Sequence, residues 1–265
     1  MLRRLFEGID DYLCGMCLGA QSNIANVVNE SRIDCLPMRA LVLGGNGFIG
    51  SHLVDALIAE GHSVTVVDRC ENPFGHRQPG VDYRTFELGS RPLLVKALSG
   101  MDVVFHLVST TVPQTSNENP AFDVQSNLIE SIFLLEQCVV KRVKKVVFIS
   151  SGGTVYGKPN FLPVREDHQT EPECSYGITK LAIEKYLKLF NHLYGLQYVI
   201  LRPSNSYGER QNPNGIQGAI SVFLGKAARS EMIQVWGDGQ TVRDYIYVSD
   251  LVSGIYQASI LQKRS

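Results

Sequence analysis

Residues 41–53 read LVLGGNGFIGSHL. A short apolar run ends in four glycines, Gly44, Gly45, Gly47 and Gly50, and an amphipathic helix pattern opens at Phe48. Both GxGxxG (45, 47, 50) and GxxGxxG (44, 47, 50) fit this spacing. Such a turn needs glycines because its backbone bends tightly and must approach a pyrophosphate, which then rests on the N-terminus of the following helix. A glycine triplet alone is often only a turn. Here it follows a strand and opens a helix, and Asp68 ends the next apolar run, SVTVVD (63–68), 18 residues after Gly50. A carboxylate at that place accepts hydrogen bonds from the adenosine ribose and repels a 2′-phosphate. The combination points to a dinucleotide site that prefers NAD to NADP, with Arg69 the one neighbour that argues the other way.

Outward from this turn the chain alternates regularly. RALVLG (39–44), SVTVVD (63–68), DYRTFEL (82–88), MDVVFHLVS (101–109), KKVVFISS (144–151) and QYVILRPS (197–204) read as strands. Helices are expected over 48–60, with Gly61 just past the end, and over 91–98, 120–140 and 174–194. Apolar strands alternating with helices predict an α/β fold, a doubly wound Rossmann-type parallel sheet covered on both faces. After Gly208 a Gly/Pro/Asn-rich loop, GERQNPNGIQG, leads to an expected helix near 218–229, a strand IQVW (233–236) and the stretch GDGQTVRDYIYVSDL. The domain reading is therefore an appendage over 1–37, an NAD-binding domain over 38–208, and a smaller substrate lobe over 209–265 at the edge where ligands bind in open α/β sheets.

The 265 residues carry a net charge of −1, with 44% hydrophobic and 19% charged residues. That balance gives no electrostatic reason to expect nucleic acid or an anionic membrane surface as partner. The basic run KRVKK (141–145) falls where a helix should end, a favourable place for cations. Cys14, Cys17, Cys35, Cys70, Cys138 and Cys174 are scattered, and only Cys14 and Cys17 have CxxC spacing without a second pair, so no metal site is expected. All six read as reduced thiols of a cytoplasmic protein. No apolar run approaches the roughly 20 residues needed to cross a bilayer. The histidines lack ligand spacing, and Glu166 and Asp167 read as solvated loop residues.

The stretch ECSYGITKLAIEKY (173–186) places Tyr176 and Lys180 four apart at the start of a helix, hence on one face. An isolated pair of this kind is usually a surface contact. Downstream of a dinucleotide site it reads differently: Lys180 is expected to lower the pKa of Tyr176 from about 10 so that the phenol acts as a base near neutrality.

GGNGFIG, Asp68, FHLVS, Asn127 in DVQSNLIES, SSGGTVYG, SYGITK, LRPSNSYG and VRDYIYVSDL together resemble the extended short-chain dehydrogenase/reductase family. Within it the NAD-dependent nucleotide-sugar epimerases and dehydratases match best, the 4-epimerases most nearly. The resemblance spans 39–251 and implies roles position by position. Gly44, Gly47, Phe48, Ile49 and Gly50 would line the pyrophosphate, with Asp68 and Arg69 at the adenosine ribose. Glu87 and Leu88 would lie beside the adenine, and Leu107, Val108, Asn127 and Ser150 along the cofactor. Tyr176 would be the base, with Lys180 on the nicotinamide ribose. Asn205 and Arg243 would meet the sugar diphosphate. One position departs: the family's third residue in this SSxxTVYG stretch carries a hydroxyl that holds the reacting oxygen, and here it is Gly152. Either a neighbour supplies that hydroxyl, Thr154 in preference to Ser151, or the triad is incomplete, and Gly152→Ser is expected to restore the family's residue and raise the rate.

The implied reaction is C4 epimerisation of a nucleotide-diphospho-sugar, a UDP-hexose or UDP-N-acetylhexosamine. Tyr176 takes the proton of the 4-hydroxyl while C4 gives a hydride to NAD⁺; the 4-keto sugar turns over and receives the hydride on its other face. Competing readings are a 4,6-dehydratase, which would carry an Asp–Glu pair where Gly153 and Thr154 stand, a decarboxylase or reductase of the same fold, and an NAD-binding protein that has lost catalysis. The resemblance also implies a homodimer through helices of the Rossmann domain. Family members continue beyond the point where this chain stops, so the lobe over 209–265 is expected to be incomplete, with weak sugar-nucleotide binding and intact NAD binding.

Overall fold

The computed structural model describes residues 6–7, 37–71, 77–235 and 237–261. The appendage expected over 1–37 therefore lies almost wholly outside the described residues. Its one described piece, β1 (Phe6–Glu7), pairs antiparallel with the strand Gln197–Leu201 at the edge of the sheet.

Six parallel strands form the sheet proper: β2 (Arg39–Leu43), β3 (Ser63–Asp68), β4 (Asp82–Thr85), β5 (Val103–His106), β6 (Lys145–Ile149) and β7 (Gln197–Leu201), in the spatial order β7-β6-β5-β2-β3-β4. From β2 the chain winds one way through β3 and β4, then crosses back to β5. The crevice between β2 and β5 is thus the switch point at which open α/β sheets bind ligands. The strands β2, β5 and β6 are buried on both faces, which explains their continuous apolar runs.

Successive side chains alternate between two cores. Leu41, Leu43, Val104, Val146 and Phe148 pack with helices α2 (Arg91–Ala97), α5 (Glu130–Val140) and α6 (Ser175–Tyr194). Ala40, Val42, Val66, Phe105 and Val147 pack with α1 (Phe48–Ala59) and α8 (Val248–Ile260). Each fully buried leucine or phenylalanine contributes roughly 1.5–3 kcal/mol.

Several expectations need correction. The strands stop short of their expected ends because pairing ends where the chain turns out at the C-terminal edge; residues 205–207 instead form β8, parallel to β9 (Tyr245–Tyr247) in a second small sheet. No strand forms over 233–235, where the backbone is exposed and no neighbouring strand among the described residues offers a ladder; Trp236 lies outside the described residues. The helix expected over 120–140 is broken into α4 (Pro120–Asp123), a π-helical turn (Val124–Ile129) and α5, preceded by the short α3 (Pro113–Ser116). Helix α8, placed by sequence in the 209–265 lobe, is part of the sheet's own core through Val248, Leu251, Val252, Ile255 and Ala258. The basic run is not merely solvated: Lys144 pairs with Asp102 at 3.0 Å, and Lys145 donates to the Ser259 and Leu261 carbonyls at 2.7 and 2.5 Å, capping α8.

Candidate active site

The glycine turn joins β2 to α1 at the switch point. Gly44 has φ +84°, and a Cβ there would touch the Leu107–Val108 backbone at 3.4 Å. A Cβ on Gly50 would stand 2.1 Å from the Gly44 carbonyl oxygen, so only glycine closes this turn. Gly47 caps α1, no side chain satisfies the cap, and the first turn holds no acidic residue. Helix α1 therefore presents an uncapped N-terminus, the arrangement that receives a phosphate group. Phe48 and Ile49 are half-buried behind it.

Asp68 ends β3 beside this turn. Its carboxylate accepts from the backbone N–H of Asn46 at 3.1 Å and of Cys70 at 3.3 Å. Arg69 is exposed. The Phe86 N–H donates to the Asp68 carbonyl, bringing the end of β4 alongside, with Glu87 exposed and Leu88 buried in the core. The residues fit a bound dinucleotide: a glycine cradle that a Cβ would fill, a bare helix N-terminus, and a carboxylate at the adjoining strand end.

On the other side of the crevice a buried polar hub organises α6. Asp123, fully buried, accepts from the Thr111 hydroxyl, from Ser175 Oγ at 2.7 Å, from Thr179 Oγ1 at 2.8 Å and from Asn127 Nδ2 at 2.9 Å. Asn127 also accepts from the Thr110 N–H at 2.9 Å. Its polar atoms brace the loop after β5, and sequence reasoning missed Asp123 because nothing local marks it. Ser175 and Thr179 flank Tyr176, so this hub sets the start of α6.

Tyr176 and Lys180 do share one face of α6, the ammonium lying 5.6 Å from the phenol ring centroid. Lys180 is buried, donates to the Ile149 carbonyl at 2.9 Å and sits 4.8 Å over the Phe148 ring. Burial lowers its pKa to about 8, opposed by Asp123 and Glu184. Tyr176 departs from expectation. Burial, then Cys174 and Asp123, pushes its pKa up to about 12 in the protein alone, because loss of hydration outweighs an ammonium aimed at a carbonyl.

One turn further, buried Glu184 accepts from the Ser150 hydroxyl and pairs with Arg202 at 3.0 and 2.5 Å. The Ser150 hydroxyl is thus engaged within the fold. Ser151 and Gly152 follow it. The Gly152 N–H donates to the Pro203 carbonyl at 2.9 Å, and a Cβ at 152 would meet the Arg202 and Pro203 oxygens at 2.7 and 2.9 Å. The loops after β6 and β7 approach too closely for a side chain there, so the expectation that Gly152→Ser restores a missing hydroxyl is corrected. Thr154 lies against Gly177, where a Cβ would be 3.2 Å from the threonine Cβ, and its own Oγ1 is buried without a partner among the described residues. Asn205 Nδ2 donates to the Asp244 carbonyl at 2.9 Å. Arg243 is exposed and donates to the Val242 carbonyl at 2.9 Å; no ion pair links it to the Tyr176 face among the described residues. Glu166, expected to be solvated, has Oε1 buried without a partner among the described residues.

Residues 40–263 match the model of the NAD dependent epimerase/dehydratase family. The chain belongs to this family. A UDP-glucose 4-epimerase from Mycolicibacterium smegmatis is 36% identical over 232 residues, covering 83% of this chain and 73% of that protein. Among solved structures, a UDP-glucose 4-epimerase with UDP-glucose from Thermotoga maritima is 37% identical with a TM-score of 0.80, covering 84% of this chain and 74% of that one. The Thermus thermophilus UDP-glucose 4-epimerase complex with NAD is 34% identical with a TM-score of 0.78, covering 85% and 75%. Membership accounts for the Rossmann-type sheet and identifies the cofactor as NAD. No helix among the described residues is long and apolar enough to cross a membrane.

Proposed function

We propose that this chain inverts C4 of a nucleotide-diphospho-sugar, a UDP-hexose or UDP-N-acetylhexosamine, as a cytoplasmic enzyme. The observation that carries the reading is the Tyr176–Lys180 face of α6 set at the sheet edge across from an uncapped glycine turn. NAD, when bound, supplies the reversible hydride acceptor that makes inversion possible without net oxidation. Gly44, Gly47, Phe48, Ile49 and Gly50 would hold its pyrophosphate, Asp68 and Arg69 would border the adenosine ribose, and Glu87, Leu88, Leu107, Val108, Asn127 and Ser150 would form the surrounding wall. Tyr176 takes the proton from the 4-hydroxyl and returns it after the keto sugar has turned. Lys180, with a pKa of about 8, is cationic at neutral pH and helps a raised phenol to ionise when the site is filled. The unpartnered Thr154 Oγ1 supports a role in orienting the reacting oxygen, with Ser151 beside it. Asn205 in β8 and Arg243 in residues 209–247 would meet the sugar diphosphate on the substrate side of the molecule.

A dimer through α5 and α6 is part of the reading. Val140, Ile178 and Leu193 are 68%, 55% and 55% exposed on these helices, apolar surface that a second copy would cover. The test is Tyr176→Phe, which removes only the ionisable hydroxyl. C4 inversion of UDP-sugars should fall by about 10³-fold while bound NAD, read by absorbance, is retained. A variant keeping more than about a tenth of the rate would exclude Tyr176 as the base.

A further inference from the structure

Asn46 stands in the middle of the glycine turn and is 4% exposed. It is tied twice to the end of β3. Its backbone N–H donates to Asp68 Oδ2 at 3.1 Å, and its Nδ2 donates to the Cys70 carbonyl at 2.6 Å. Cys70 in turn donates its N–H to Asp68 Oδ1 at 3.3 Å. The turn, the carboxylate and the 69–70 segment thus form a closed ring of three hydrogen bonds. The Cys70 carbonyl can only accept, so the amino end of the amide must face it. That choice leaves Asn46 Oδ1 buried with no donor among the described residues. An unmatched buried acceptor opposes stability, and a smaller side chain would avoid it. The clamp is therefore best explained by what it positions.

Two consequences follow for a dinucleotide. The Asp68 carboxylate is fixed by backbone donors on both oxygens, so it cannot rotate away from an adenosine ribose. The Cys70–Glu71 peptide is pinned by Asn46 and the Arg69–Cys70 peptide by Asp68, with Arg69 exposed to solvent. A freed 69–70 segment would let the guanidinium approach a 2′-phosphate, the group Asp68 repels.

We infer that Asn46 is a specificity-determining positioning residue: it acts through Asp68 and Arg69 to hold the site in the form that takes an unphosphorylated adenosine ribose. This rests on the cofactor site assigned above. The experiment is calorimetric titration of the full chain with NAD and with NADP, for the unaltered protein, Asn46→Ala, Asn46→Ser and Asn46→Ala/Arg69→Ala. In the single variants the ratio of NAD to NADP affinity should fall by about tenfold, the worth of one displaced hydrogen bond to a charged group. Serine is too short to reach the Cys70 carbonyl, so it should behave as alanine does. Adding Arg69→Ala should restore most of the discrimination against NADP by removing the released cation. An unchanged ratio in either folded single variant, or equal loss for both dinucleotides, overturns the inference. Failure of the unaltered chain to bind either dinucleotide overturns the site itself.

Discussion

The face of α6 and the segment 209–247 border the same crevice and are built in opposite ways. Around α6, Lys180, Glu184, Asp123 and Arg202 are buried and bonded within the fold, and Ile183, Leu187 and Phe190 lock the helix into the core. In 209–247, helix α7 (Ala219–Ala228) buries no residue, and Met232 and Val242 are 88% and 87% exposed. Apart from the β8–β9 ladder and Ile246 against the core, that segment is held to the rest by polar contacts, Arg210 to Asp55 at 2.6 Å and the Glu209 carbonyl to His52 at 2.9 Å. Within it, Tyr247 Oη is bonded to the Glu209 carboxylate at 2.6 Å. Apolar burial acts over a whole surface, whereas exposed polar contacts contribute little each. The cofactor and base side should therefore react sharply to single changes, and the substrate side hardly at all except through its ligand.

The strongest way to break this contrast is Glu184→Gln. Removing one partner of a buried ion pair leaves Arg202 without its counter-charge and should cost about 3–5 kcal/mol, read as a lowered urea midpoint. A loss under about 1 kcal/mol would mean that the α6 side is far more tolerant than its burial suggests.

Next comes Gly152→Ser. The added atoms press on the Arg202 and Pro203 carbonyls and should destabilise by about 1–3 kcal/mol with no gain in turnover. Faster epimerisation by a stable variant would show that the two loops separate easily.

Acid sharpens the comparison further. His106 is fully buried at the end of β5, against Ser131 (2.8 Å), the Phe148 ring and the charge of Lys180, and its pKa is lowered to about 3. Between about 6.5 and 3 the unfolded chain binds a proton that the native state refuses. Stability is thus full above pH 6.5 and is lost as pH falls through that window, by at most about 1.4 kcal/mol per pH unit. Denaturation midpoints at pH 7 and 5 should differ, and His106→Gln should flatten the slope; an identical slope in the variant would assign the acid sensitivity elsewhere.

The smallest effect on the fold belongs to Arg243→Ala. Its melting temperature should move by no more than about 2 °C. NAD affinity should be unchanged and UDP-sugar affinity should fall by about tenfold or more, the contribution of a charge-assisted hydrogen bond. A fall in NAD affinity instead would join this arginine to the cofactor side.

The sequence alone determined the parallel sheet, the glycine turn, Asp68 at its strand end and the shared face of Tyr176 and Lys180. Those are local properties: strand and helix periods, the backbone freedom of glycine, and four-residue helical spacing act between near neighbours in the chain. Asp123 behind α6, Lys180 turned to the Ile149 carbonyl, the Asn46 clamp and the closed space at Gly152 come from contacts between strands and loops distant in sequence. Burial then reversed the expected direction of the Tyr176 pKa, because desolvation is set by everything packed around a group and no spacing along the chain encodes it. Helix α8 joined the sheet's core for the same reason: an apolar face records that it must be covered, and only the folded chain decides by what.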